Sequence, residues 1–182
     1  MALTKPVIEA LLSEKHLFTD IAIALSEVDP ATDLVALVVH QLEKITSSGM
    51  LVYLSYNEDS QHLVPLLVKS ASTAVQKVMN SPEAELLQKG LHVSEETYHK
   101  LISQGIGVSE TLHGISFGII PESFEQKVQS VKLFNRYYWL AFAVSDKLYG
   151  ASFFCLKQEQ PDPPQELLHF LSLMTAVALH RK

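Results

Sequence analysis

Residues 137–156, YYWLAFAVSDKLYGASFFCL, decide how the chain reads. Two apolar arms flank the polar pair Asp146 and Lys147, and no charge interrupts either arm. Rich in aromatic residues, the arms read as the strands of a hairpin, apolar enough to need cover on both faces of a sheet. If Asp146 and Lys147 form a two-residue turn, Ser145 faces Leu148 and pairing runs outward from there. Trp139, Ala141, Ala143, Gly150, Ser152 and Phe154 then share one face. Tyr138, Leu140, Phe142, Val144, Tyr149, Phe153 and Cys155 share the other, which reads as filled core. The first face sets small side chains between two large rings, leaving room for a ligand or for a closely docked helix. Ser116 and Phe117 lie on the expected neighbouring strand and are its natural partners. Few charges stand nearby, so the ligand expected there is small, apolar or aromatic, and fixed by a few hydrogen bonds.

After this hairpin and a proline-rich break comes LLHFLSLMTAVALHRK, residues 167–182, a helix started by Pro163 or Pro164 and ending in His180, Arg181 and Lys182, favourable for its dipole. At the other end, Thr4 and Pro6 open a helix with a broad apolar stripe: Ile8, Leu11, Leu12, Phe18, Ile21 and Leu25. Asp29-Pro30 starts a second helix, with Leu34, Leu37, Val38, Leu42 and Ile45 inward. MLVYLSY, residues 50–56, and HLVPLLVKS, residues 62–70, make a second hairpin around Asn57-Glu58-Asp59-Ser60. Pro65 cannot donate to a ladder, so its strand belongs at an edge or carries a bulge. Short helices follow at 70–79 and from Ser81-Pro82, and Ser94 caps a clearer one that Gly105 ends. IGVSETLHGISFGII, residues 106–120, reads as one interrupted strand or as two short ones at 106–108 and 114–120, and residues 122–131 as a helical loop. Two hairpins with helices before, between and after them predict an α+β layer structure around an antiparallel sheet.

The 182 residues can bury a substantial core, and 47% hydrophobic against 19% charged residues argues for a globular fold. A net charge of -6 without a lysine or arginine cluster argues against a nucleic-acid partner. The N-terminal residues lack the pattern of a signal peptide, and no apolar run has the length of a membrane span. The chain is expected to be soluble and cytoplasmic. One cysteine, Cys155, excludes an internal disulfide and a four-cysteine zinc site. It stands between apolar residues and reads as a small core side chain.

The order of elements from residue 16 onward resembles the GAF domain family. The resemblance rests on LFTDIAIALSEVDPATDLVALVVHQLEKITSSGMLVYLSYNED, residues 17–59, and AFAVSDKLYGASFFCLKQEQPDPPQELLHFLSLMTAVALHRK, residues 141–182. Residues 70–134 depart most from the family. The resemblance implies a five- or six-stranded antiparallel sheet with strand order near 2-1-5-4-3. It implies terminal helices on one face and short helices and loops, often over a small-molecule site, on the other. It further implies a sensory or regulatory role, as in histidine kinases of two-component systems, and a homodimer formed through the terminal helices. Residues 1–28 would be the signalling and dimerisation helix and residues 29–182 the sensory domain, with an output domain following Lys182. Where bilin-binding members carry histidine after the pigment-bearing cysteine, this chain has Leu156.

The sequence holds no phosphate-binding glycine loop, no G-x-S-x-G and no H-E-x-x-H. The expectation is therefore a non-enzyme without a metal. Among the eight histidines, His113 stands between the short strands bordering the expected pocket and reads as a ligand contact or a turn histidine. The expected ligand-binding set is His113, Ser116, Phe117, Trp139, Ala141, Ser152 and Phe154. The alternative is a ligand-free interaction module whose own aromatic rings fill the pocket.

Overall fold

The computed structural model describes residues 5–27, 33–70, 72–81, 84–118, 120, 122–130 and 133–182, with the backbone alone for residues 5–12 and Leu86. Thr4 and the Asp29-Pro30 and Pro82 helix starts lie outside them. The described chain runs α1 (Lys5–Ser26), α2 (Leu34–Thr46), β1 (Met50–Asn57), β2 (His62–Ser70), α3 (Thr73–Met79), α4 (Glu85–Gln88) and β3 (Leu91–His92). It continues with α5 (Glu95–Gln104), β4 (Ile106–Ser109), α6 (Leu112–Ile115), α7 (Glu122–Ser130), β5 (Phe134–Val144), β6 (Lys147–Lys157) and α8 (Gln165–Arg181). The six strands form one sheet in the order β3-β2-β1-β6-β5-β4, and every neighbouring pair is antiparallel.

Local chemistry sets the element ends. Asp33 caps α2, its carboxylate accepting from the Ala36 N–H at 3.0 Å. Ser72 and Ser94 cap α3 and α5 in the same way. Asn57 accepts from the Ser60 N–H at 2.9 Å and closes the β1–β2 turn. Pro65 stands opposite Leu54 while Leu67 stands opposite Tyr53, so Leu66 is the extra residue of a bulge. That bulge lets a proline sit in β2 without breaking the ladder.

The sheet separates two cores. On one face, α1, α2 and α8 bury Ile21, Leu25, Val38, Leu42, Leu168 and Leu171 against Leu51, Tyr53, Leu140, Phe142, Phe154 and Leu156. Phe18 and Phe170 meet edge to face at 5.2 Å between α1 and α8. The Ser172 hydroxyl donates to the Ala141 carbonyl and fastens α8 to β5. The loop before α8 is held as well: the Asp162 carboxylate accepts from Arg136 and from the Tyr138 hydroxyl. On the other face, α3 to α7 cover Met50, Leu54, Tyr137, Trp139, Ala141, Ala151, Phe153 and Cys155. No helix among the described residues is long and apolar enough to cross a membrane.

Candidate functional site

The β5–β6 hairpin fixes which side chains meet on the face covered by the short helices. Its turn is Ser145-Asp146, with φ of 52° and 59°, and Val144 pairs with Lys147. Two successive left-handed residues give the turn whose twist suits a two-residue hairpin. The expected turn at Asp146 and Lys147 lies one residue too late. The pairing shifts again between Phe142 and Ala143, where Tyr149 is an extra residue on β6. Beyond it Ala141 faces Ala151, Leu140 faces Ser152, Trp139 faces Phe153 and Tyr138 faces Phe154. Side chains alternate along a strand, so this net slip of one residue turns β6 over relative to the expectation. Phe153 and Cys155 join Trp139 and Ala141, while Ser152 and Phe154 go to the opposite face, beneath α8. There Phe154 stacks on Tyr138 at 4.9 Å, and both Ser152 and Phe154 are fully buried. Gly150 has a different reason to be small: a side chain there would run into the Leu54 carbonyl of β1.

His113, Ser116, Phe117, Trp139 and Ala141 do share the short-helix face. The residues around them differ from the expected strand at 114–120, where the chain forms the single-turn helix α6 and a tight turn. Glu125, buried on α7, accepts from the Leu112 and His113 N–H groups at 3.2 and 3.0 Å, and Thr111 accepts from Gly114 at 3.0 Å. These bonds satisfy the first amides of α6 and select a helical turn over an extended strand. Left-handed backbone at Phe117 and Gly118 then reverses the chain. The His113 ring donates from Nδ1 to the Ile120 carbonyl at 2.9 Å, and Ser116 Oγ donates to the His113 carbonyl and accepts from Ile120 N–H. His113 thus stands in a turn that its own ring helps to close. The Phe117 and Trp139 rings meet at 5.7 Å, and the indole fills the space a side chain on Gly107 would need. This end of the face is closed by its own side chains.

The open space lies one strand pair away. A cavity of about 450 Å³ sits between β1–β2 and the layer of α3, α4, α6 and α7. Met50, Val52 and Leu54 of β1 and Phe153 of β6 form its floor. Pro65 and Val68 of β2 and Met79 and Leu87 of the short helices form its near wall. Leu112, Ile120 and Phe124 close the far side. Gln76, Asn80 and Gln88, all exposed, stand at the rim. Val68 is 45% exposed, so the cavity opens beside β2. Lys69 also touches the cavity, but its ammonium is 2.7 Å from Glu43 of α2. Lys69 pairs across the ladder with Leu51, whose side chain belongs to the terminal-helix core, so its own points to that face.

None of the seven expected ligand contacts lines this cavity. The residues that do were legible only in part. Met50, Val52 and Leu54 alternate along β1, which marks them as one face. No pattern showed that the short helices above them would stand off rather than pack down.

The site offers little covalent or metal chemistry. Burial pushes the Cys155 thiol far above its ordinary range, which keeps it protonated and unreactive. Burial likewise raises Tyr53 to about 12 and, joined by the hydrogen bond to Asp162, Tyr138 to about 12. Among the described residues no three His, Cys, Asp or Glu side chains are placed to hold a metal ion.

No family model matches the sequence, and no curated protein matches it. Solved structures do match the fold. The chromophore-binding domain of Stigmatella aurantiaca bacteriophytochrome aligns with a TM-score of 0.63 at 14% identity, over 94% of this chain. This chain spans 61% of that one. The GAF domain of Acinetobacter phosphoenolpyruvate-protein phosphotransferase aligns with a TM-score of 0.62 at 14% identity, covering 93% of each chain. The GAF domain of the cyanobacteriochrome TePixJ gives 0.56 at 12% identity, over 86% of this chain and 93% of that one. The chain therefore has the GAF fold, a six-stranded antiparallel sheet between terminal helices and a layer of short ones.

Proposed function

We propose that the chain is a non-catalytic sensory or regulatory GAF-like domain that binds a small molecule in the cavity over β1–β2. The cavity carries this reading: about 450 Å³, walled by apolar side chains and rimmed by polar ones, is the size and make-up of a small-molecule site. The same strands offer a route outward. Met50, Val52 and Leu54 face the cavity, and Leu51 and Tyr53 between them face α1, α2 and α8. A ligand that favours one arrangement of β1 biases the terminal helices behind it.

In this reading the terminal helices pair with those of a second copy, within a cytoplasmic signal-transduction protein such as a sensor histidine kinase. Ile23 on α1 and Leu173 on α8, each about half exposed at 52% and 50%, support a partner for that face. Native mass spectrometry of freshly purified protein tests both parts. A dimer carrying a retained small molecule is expected, with the molecule absent from Val68→Trp, which blocks the mouth. An empty monomer at tens of micromolar would sink both parts.

A second reading, a ligand-free interaction module, draws on Phe117 and Trp139, which fill one end of the face themselves. Unchanged folding in Val68→Trp and a mass that differs only by the substitution, with no molecule retained in either protein, favour that reading.

A further inference from the structure

Taking the cavity as a ligand site, we infer that it selects uncharged amphiphiles, with an apolar body and one hydroxyl, carbonyl or amide end, and rejects anions. The interior is lined by aliphatic and aromatic side chains from β1, β2, β6 and the short helices, so it accepts the apolar body. The polar side chains at the rim, Gln76, Asn80 and Gln88, carry amides, which donate and accept without charge. The Gln76 amide is already oriented, its Nε2 donating to the Ser70 carbonyl at 3.0 Å.

The charge balance gives the selectivity. Among the described lining residues Lys69 alone is charged, and it is committed to Glu43 on the other face of the sheet. A carboxylate or phosphate entering the cavity would lose water and meet no cation, which is costly in an apolar site. The chain as a whole, at -6, does not offset that cost. A neutral head group gives up less hydration and can recover it from the three rim amides. Val68, half exposed and lining the cavity, forms an apolar lip by which such a molecule enters.

Displacement of the neutral dye Nile red by 1-octanol, octanamide and octanoate tests this at neutral pH, where octanoate is ionised. Octanol and octanamide should displace the dye, with octanoate at least about tenfold weaker. Asn80→Lys places a cation on the exposed rim and should close or reverse that gap. Octanoate binding as well as octanamide to the unaltered protein overturns the charge selection while leaving the cavity a ligand site. So does a gap that Asn80→Lys leaves unchanged. If Nile red and all three probes fail to bind, or bind equally to Val68→Trp, the cavity is not a ligand site. Both this inference and the proposed function then fall.

Discussion

Trp139 on β5 stands directly across the ladder from Phe153 on β6, and the two rings divide one face of the sheet. Trp139 packs against Phe117 on the closed side, and Phe153 is part of the cavity floor on the open side. Removing the Phe153 ring should join the cavity to the space beside the indole. Phe153→Ala is expected to cost about 3 kcal/mol, the low end for such a truncation, because one side of the ring already faces open space. Urea unfolding checks the loss, and Trp139 emission should shift to the red. A loss below about 1 kcal/mol would show that the ring does not hold the wall.

Ser152 follows from the same register. It is fully buried beneath the terminal helices, and its hydroxyl meets no protein partner. Removing an unpaired buried hydroxyl relieves a desolvation cost. Ser152→Ala should therefore raise stability by up to about 1 kcal/mol and leave probe binding in the cavity unaltered. Weakened binding in this variant would mean that Ser152 reaches the ligand after all.

These two residues show where the sequence was readable. The apolar arms around the turn declared a buried hairpin, and Pro65 declared its bulge, because strand periodicity and proline chemistry act over a few residues. The choice between Phe153 and Phe154 rested on one backbone detail, left-handed Ser145 and Asp146, and on the extra residue Tyr149. Neither serine nor tyrosine advertises those roles as glycine would have done. The cavity was less readable still. It lies under the short helices α3, α4 and α6, and how far those helices stand from the sheet is a consequence of long-range packing rather than of local pattern.

Glu125 holds that far wall in place. Its buried carboxylate accepts from the N–H groups of Leu112 and His113 and from the Gln129 side chain. Leu112 lines the cavity. Glu125→Ala leaves two amide donors without their acceptor and should cost about 2–3 kcal/mol. The same change should speed hydrogen exchange at Leu112 and His113 far more than at the sheet amides. Uniform acceleration across the chain would instead mean a general loss of stability with no special role for α6.

The exposed faces of α1 and α8 lead to a separate expectation. Ile23 and Leu173 are large apolar side chains left about half in water. If a second copy covers them, Leu173→Asp should convert a dimer into a monomer in sedimentation without altering the far-ultraviolet spectrum, since the site is a solvated helix face. Ile23→Asp should act in the same direction. Two monomerising variants that still bind the neutral probes would separate dimerisation from ligand binding. Dimers that persist in both would move the interface elsewhere.

The buried tyrosines set an alkaline limit. Tyr53 is pushed from 10.0 up to about 12 by burial, and Tyr138 to about 12 by burial first and then by its bond to Asp162, with Arg136 opposing. The folded chain therefore keeps protons that the unfolded chain gives up above pH 10. Stability contributed by these groups is full below about pH 10 and declines as pH rises toward about 12. Urea midpoints taken across that window should fall steadily, and the tyrosinate absorbance that Tyr53 and Tyr138 contribute should rise with unfolding rather than before it. Tyr53→Phe removes one such group, so its midpoint should fall less steeply over the same window. A midpoint that stays flat to pH 12 in the unaltered protein, or a slope that Tyr53→Phe does not change, would show that the Tyr53 hydroxyl ionises without unfolding the terminal-helix core.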